Sequence, residues 1–353
     1  MLGIFIKTSL SDWLNSLEPR NSIPTEYYSL IPKWRSGNIP FVDLPYDYKR
    51  TEHLLQASLI ESLAANITLS EKSTIIDLGT GDGWPSLPLA HIRPKSYVLA
   101  LEASEQRLAR SRTNLSTSGL TNVDFLAADI KTIPLQPNTI DGVVASFALE
   151  EAMNVGQAAR EIFRVLKTGG FLKFIHQVWN LPTPRIETIS LIQGIADNQQ
   201  LVPLLVHTVR QQNPDREIRT VLVLDSSSTA SEIHQKLLTE SARLPSRYGE
   251  ALLDELGSEA VFTENILNHL KKIKKDLFTY EVKRYNTENL VSLLSDIGFT
   301  NIKNTKIPVV TAKDYPELHK GSKKLFEIAS KKLGKLNVIG EGIITAHKSY
   351  SAD

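Results

Sequence analysis

The 353-residue chain has no cysteine, which excludes disulfides, thiolate zinc sites and cysteine nucleophiles and is compatible with a reducing compartment. No apolar stretch approaches the ~20 residues needed to span a bilayer. The opening MLGIFIK is too short an apolar run for a secretory leader, and no charged segment precedes it. Charge of one sign is missing as well: the formal net charge is +1, so no global field favours nucleic acid or a membrane surface. The eight histidines are scattered without an H-x-x-x-H pair, and no metal site is expected. These absences predict a cytoplasmic protein without metal or membrane span.

Hydrophobic residues make up 41% and charged residues 22% of the chain, as in a soluble globular protein of one elaborated domain or a core with an appendage. Residues 1–50 read as a loop-like N-terminal cap rich in Pro, Trp and Tyr. Leu54, Leu55, Leu59, Ile60 and Leu63 open a core, 51–176, at helical spacing. Apolar strands then alternate with helices: STIIDLG, helix 86–92, SYVLALEA, helix 104–117, VDFLAADI, DGVVASFA, helix GQAAREIFRVLK and strand GGFLKFIHQ. That alternation predicts an α/β fold, a Rossmann-like, mostly parallel seven-stranded sheet with helices on both faces. Residues 177–278 break the pattern. They read as a mainly helical insertion after the fifth strand, with one strand at REIRTVLVLD, and are expected to form a lid over the substrate. The alternation resumes over 279–353, which completes the core sheet, with a Lys-rich helix near 321–334.

In an open α/β sheet the ligand sits beyond the carboxyl ends of the strands, where Asp77-Leu78-Gly79-Thr80-Gly81-Asp82-Gly83 leaves the first strand. Gly79 and Gly81 permit a sharp turn and a close backbone approach. A dinucleotide fingerprint G-x-G-x-x-G requires a third glycine at position 84, and this chain has Trp84. The spacing therefore suits either a ligand with no pyrophosphate or a turn that binds nothing. Glu102 falls at the end of the second strand, where a carboxylate accepts both hydroxyls of a ribose, and Ala103 follows it. Asp129 ends the third strand, placed to accept from an adenine amine while Ala128 and Ile130 flank the ring. Each acid alone could be a solvated strand end. Three of them at successive strand ends after such a loop point to a nucleoside.

DLGTGDG, Glu102, AADI, DGVVASFAL and REIFRVLKTGGFLKF together resemble the class I S-adenosylmethionine-dependent methyltransferases. Within them the chain looks most like the small-molecule branch that includes ubiquinone and menaquinone biosynthesis methyltransferases. The resemblance is strong over about 70–176, moderate over about 280–348, and silent on 1–50 and 177–278. It implies S-adenosyl-L-methionine as cofactor, with S-adenosyl-L-homocysteine as product. By the same resemblance Asp77, Gly79, Thr80 and Gly81 meet the aminocarboxypropyl end. Glu102 and Ala103 meet the ribose, Ala128, Asp129 and Ile130 the adenine, and Ser146 and Phe147 lie near the methionine end. Because this ligand has no pyrophosphate, Trp84 is no obstacle.

Methyl transfer from a sulfonium is an in-line displacement with a neutral leaving group, so alignment and desolvation are the protein's main tasks. Glu150 and Glu151, just past the fourth strand, and His176, ending the fifth, are the candidates for proton transfer with the acceptor. The two glutamates serve equally well as complements to a helix dipole, and a lone histidine can be structural. Tyr27, Tyr28, Trp84 and Trp179, with Trp34, Tyr46 and Tyr48, could wall an apolar acceptor pocket. These features favour a small, partly apolar or aromatic acceptor. Residues 268–335 hold fifteen Lys/Arg against seven Asp/Glu, a local +8 that leaves about −7 elsewhere. That run reads as a solvated helix face or as a surface for RNA or protein. Nucleic acid is disfavoured because SFAL stands where an NPPY-like tetrad would follow the fourth strand. A catalytically silent, cofactor-binding partner subunit is a further reading. The sequence does not give the oligomeric state.

Overall fold

The computed structural model describes residues 7–31, 35–36, 39–40, 44–47, 53, 59–60, 63–64, 72–177, 179, 181–196, 200–240, 261–306 and 341–349. In chain order the first elements are β1 (Lys7–Ser9), α1 (Leu10–Asn15), β2 (Arg20–Asn21), α2 (Pro24–Leu30), β3 (Arg35–Ser36) and β4 (Ile39–Pro40). Then come β5 (Thr74–Leu78), α3 (Ser86–Ile92), β6 (Tyr97–Glu102), α4 (Glu105–Ser118), β7 (Val123–Ala127), β8 (Ile140–Ser146), α5 (Val155–Val165) and β9 (Leu166–Gln177). β10 (Arg185–Ile195), β11 (Leu201–Gln211), β12 (Arg216–Leu224), α6 (Ala230–Glu240), β13 (Val261–Thr263), α7 (Glu264–Lys272) and β14 (Lys274–Lys283) follow. The last elements are α8 (Thr287–Ile297), β15 (Phe299–Lys306) and β16 (Glu341–Lys348). The chain forms two compact units, Met1–Pro32 with Leu181–Arg284, and Lys33–Asn180 with Tyr285–Asp353.

The second unit holds a seven-stranded sheet in the order β15-β16-β9-β8-β5-β6-β7. β5 to β9 are mutually parallel, and β16 runs antiparallel to both β9 and β15. Its central strands are apolar on both sides, as a sheet covered by helices on each face requires. On one face Ile76, Val143, Leu172 and Phe174 pack against Ala158, Ala159 and Ile162 of α5 and Leu290 and Leu294 of α8. On the other, Ile75, Val98 and Val144 pack against Leu87, Leu89 and Ala90 of α3. Helix ends follow local chemistry. Asn154 and Asn286 cap α5 and α8 by accepting the Gln157 and Asn289 N–H groups at 2.9 and 2.8 Å. α8 stops at Gly298, whose φ of 110° is left-handed.

Close packing of this sheet yields a stability prediction. Gly142 pairs with Phe171 across β8 and β9, and a Cβ at 142 would stand 2.2 Å from Cε1 of the Phe171 ring. Gly142→Ala should therefore destabilise the unit by about 2–3 kcal/mol through overpacking. Urea unfolding checks this, and Gly142→Ala combined with Phe171→Leu should recover part of the loss.

The first unit differs from the expectation. Arg185–Ile195 and Leu201–Gln211 are long antiparallel strands, not helices, and with the expected strand at Arg216–Leu224, β14 and β2 they make a five-stranded sheet in the order β10-β11-β12-β14-β2. The mainly helical reading of 177–278 is thus corrected; its helices among the described residues are α6 and α7. The cause is double burial. Ile189, Leu191, Leu205 and Leu222 pack under α1, α6 and α7 on one face. Ile192, Leu204, Val206 and Val221 pack with Tyr27, Leu30 and Ile31 on the other. A strand buried on both faces loses the polar alternation that marks a strand in sequence. The expected loop-like character of 1–50 is also revised, because α1 and α2 are helices of this unit. The Lys-rich helix near 321–334, with Leu54, Leu55, Trp34 and Tyr48, lies outside the described residues.

Candidate functional site

The carboxyl end of β5 carries Asp77, which is fully buried. Its Oδ2 accepts the Ser86 N–H at 3.1 Å and also the Ser86 hydroxyl. The Ser86 hydroxyl lies 2.6 Å from Thr80 Oγ1. Burial pushes the Asp77 carboxyl up to about 7 against the pull of the Ser86 and Thr80 hydroxyls and the Ser86 amide, with the Glu102 charge adding to the rise.

Between Asp77 and α3 the chain turns through Gly79 and Gly81, both left-handed at φ 68° and 57°. Gly79 and Thr80 donate their N–H groups to the Leu101 carbonyl at 2.8 and 3.0 Å, fastening the loop to β6. From α4, Ser111 donates to the Gly81 carbonyl and Asn114 to the Asp82 carbonyl, each at 2.6 Å. The Asp82 carboxylate accepts from Arg110 Nε at 2.9 Å. Three side chains of α4 and two backbone donors thus fix a loop of a few residues, the rigidity expected of a ligand cradle. Trp84 ends the turn with its indole N–H on the Tyr46 hydroxyl at 3.1 Å, and its ring packs against the sheet.

At the end of β6, Glu102 is buried and accepts the Gly81 N–H at 2.9 Å on Oε2 and the Ser104 N–H at 3.0 Å on Oε1. A carboxylate offers about four lone-pair positions, so each oxygen keeps one for a further donor. Ala103 is exposed beside it. Past β7, Ala128 is joined to the Glu102 carbonyl at 3.1 Å. Asp129 is exposed and accepts the Lys131 N–H at 2.8 Å, with the Lys131 ammonium at 3.3 Å. Ala128 and Ile130 pack against the core. Past β8 come Ser146 and the exposed Phe147, whose φ of 52° is left-handed and whose N–H is fixed on the Ile175 carbonyl at 3.0 Å. A non-glycine residue held there carries strain of order 1–3 kcal/mol, a feature that clusters at functional sites. Ala148 then packs directly under Gly79.

Glu150 lies in a short 3-10 turn, Leu149–Glu151, and is buried, with Oε1 accepting the Gln177 N–H at 3.1 Å. Glu151 is half-buried. His176 is enclosed: its ring lies 5.8 Å from that of Phe174, and burial lowers its basicity. A Cβ on Gly342, its partner on β16, would stand 3.0 Å from His176 Nε2. Trp179 is buried. Tyr27 and Tyr28 belong to the other unit, where both rings pack around Arg219 and the Tyr28 hydroxyl accepts from Arg219 Nη1 at 2.9 Å. Direct contacts therefore join Asp77, the loop 79–83, Glu102 and Ala148. Ser86, Ser111, Asn114 and Ala148 were missed in the sequence. Ser86 alone left a trace, as a small polar residue in the first turn after a loop acid. Among the described residues no group of three His, Cys, Asp or Glu is placed to hold a metal ion, and no helix is long and apolar enough to cross a membrane.

Residues 76–174 match the family model described as a methyltransferase domain. The chain is 32% identical over 120 residues to a malonyl-[acyl-carrier protein] O-methyltransferase of Marinomonas sp., covering 34% of this chain and 43% of that one. It is 31% identical over 120 residues to a ribosomal RNA small subunit methyltransferase G of Serratia proteamaculans, covering 34% and 54%. It is 33% identical over 97 residues to a demethylmenaquinone methyltransferase of Listeria monocytogenes, covering 28% and 40%. The chain thus spans about half or less of these relatives' length. The glycine loop, the acid at each of the first strand ends and the matched segment coincide on β5 to β9, and that part of the chain is a class I S-adenosylmethionine-dependent methyltransferase domain.

Proposed function

We propose that the protein transfers the methyl group of S-adenosylmethionine to a small, partly apolar or aromatic acceptor in the cytoplasm. The observation that carries the reading is the pair of buried acids beside the loop. Asp77 Oδ1 is buried with no hydrogen-bond partner, and each Glu102 oxygen, already bound to one amide, can accept one more donor. A ligand with an ammonium and a cis-diol supplies the donors these atoms lack, and its net positive charge suits two buried carboxylates. Asp77 with the loop 79–81 would hold the aminocarboxypropyl end, Glu102 and Ala103 the ribose, and Ala128, Asp129 and Ile130 the adenine. When bound, the cofactor supplies an electrophilic methyl on a sulfonium.

The remaining work of the chain is to hold the acceptor in line and keep water away. Phe147, exposed beyond β8 beside the loop-packing Ala148, offers an apolar face for such an acceptor. Of the three residues considered for proton transfer, Glu150 and His176 are buried and Glu151 is half-buried, with its Oε2 buried. The Listeria relative named for demethylmenaquinone supports a small acceptor. The Serratia relative named for ribosomal RNA, with the local +8 of residues 268–335, favours a second reading, RNA as acceptor.

Glu102→Ala removes both ribose acceptors and should weaken S-adenosylhomocysteine binding by about 2–3 kcal/mol, roughly 30- to 150-fold. Calorimetric titration reads this directly. Labelled methyl donor incubated with the protein and cell extract then separates the acceptors. Label in the organic-soluble fraction supports the small acceptor. Label in RNA, lost at high salt, supports the second reading and removes the first.

A further inference from the structure

We infer that Ser86 is a positioning residue that fixes one oxygen of Asp77 so that the other receives the ammonium of the cofactor, and that cofactor uptake thereby expels a proton from Asp77. The inference rests on the cofactor reading above and concerns how that site is loaded.

The hydroxyls form a directed chain. Oδ2 of Asp77 accepts from the Ser86 amide and hydroxyl. A hydroxyl has one proton to give; with that proton on Asp77, Ser86 Oγ accepts from Thr80 Oγ1, 2.6 Å away. Both Ser86 donors therefore point at Oδ2, with the Thr80 hydroxyl behind the Ser86 oxygen. A proton carried by Asp77 must then sit on Oδ1, the buried oxygen with no partner. The charged group acting on Asp77 from β6 is Glu102. Asp82 of the loop is turned to Arg107 and Arg110 of α4 at 3.9 and 2.9 Å, and α3 contributes only its far-end His91, which is exposed.

In the free protein burial holds the Asp77 carboxyl at about 7, so near neutral pH it is partly protonated. An arriving ammonium keeps its own protons and donates one N–H to Oδ1. The Oδ1 proton leaves to solvent, and no covalent bond changes in the ligand. Below about pH 7 the ligand must displace that proton. Affinity should then fall about tenfold per pH unit, with about half a proton released at pH 7 and nearly one at pH 6.

The test is titration calorimetry with S-adenosylhomocysteine from about pH 5.5 to 7.5, in buffers of different ionisation enthalpy, with melting curves of each unliganded variant. Wild type should show the pH-dependent affinity and the proton release, and Asp77→Asn should bind weakly with neither. Ser86→Ala removes a donor that favours the ionised carboxylate, so the pH at which affinity begins to fall should move upward, and Ser86→Thr should restore it. Ser86→Cys, nearly the same size but a weak donor, should follow Ser86→Ala and covers the case in which alanine does not fold. A flat wild-type profile with measurable binding overturns the inference, as does a weakening of Ser86→Ala and Ser86→Cys that is the same at every pH. Binding at no pH overturns the cofactor reading itself.

Discussion

Gly79→Ala is expected to weaken cofactor binding roughly 100-fold while leaving the fold recognisable. The residue sits at φ 68°, where an L-side chain costs about 1–2 kcal/mol. A Cβ there would also lie 2.5 Å from the Cβ of Ala148, a distance that forces backbone apart because neither atom is the end of a flexible side chain. The loop must then move away from the turn that follows β8. Its amides lose their register on the Leu101 carbonyl, to which Gly79 and Thr80 donate. A shift of about an ångström at a positioning loop suffices for roughly a 100-fold loss. Global stability should drop by about 2–4 kcal/mol, from strain plus overpacking. Gly79→Ala with Ala148→Gly relieves the contact and keeps the backbone strain, so it should regain stability and part of the affinity. Titration of both variants beside urea unfolding separates the two contributions.

The largest effect on stability alone is expected in the five-stranded unit. Glu217 on β12 is fully buried and is shared by three guanidinium groups. Arg210 Nε donates at 2.9 Å, Arg284 Nη2 at 3.0 Å, and Arg219 Nη2 pairs with the same carboxylate. Arg219 also donates Nη1 to the hydroxyls of Tyr28 and Tyr280 at 2.9 Å each. Burial opposes ionisation of Glu217, but Arg219, Arg284 and Arg210 outweigh it and hold its carboxyl at about 2. Removing this carboxylate takes away the buried charge that the three arginines share, a loss of about 3–5 kcal/mol. Glu217→Gln keeps the shape and one acceptor and should lose less. The depressed pKa fixes the sign with pH: the contribution is whole above the ordinary value of 4.5 and disappears as pH falls toward about 2. The difference in unfolding free energy between wild type and Glu217→Ala should therefore be constant near neutrality and shrink below about pH 4.5.

The legible and illegible parts of this sequence divide along a physical line. Strands β5 to β9 and helices α3 to α5 were readable because the strands are apolar runs, the first of them closed by a glycine loop and the second by an acid. The helices between them carry apolar residues at three- and four-residue spacing. In the site, the turn at Gly79 and the acids at 77, 102 and 129 stood out because chain position alone puts strand ends on one edge of a parallel sheet. What the chain does with Asp77 was hidden, since the Ser86 and Thr80 hydroxyls act through a fold in three dimensions. His176 looked accessible at a strand end, yet strand alternation turns its ring onto Phe174 and into the packed face. The insertion failed for the opposite reason to the core. β10, β11 and β12 are buried on two sides by different helices, so RIETISLIQGI and LVPLLVHTVRQ show no period that separates strand from helix. Pro203, which argues against a central strand, lies where β11 extends beyond its pairing with β12.

The central claim, that the loop after β5 is a site for S-adenosylmethionine, is tested most directly by calorimetric titration of the purified protein. S-adenosylmethionine and S-adenosylhomocysteine are the ligands, NAD is the control, and Glu102→Ala is run in parallel. Saturable binding of the two sulfur ligands at sub-millimolar concentration, weakened by Glu102→Ala and absent for NAD, is the predicted result. No binding of either sulfur ligand in that range, or equal binding of NAD, would contradict it.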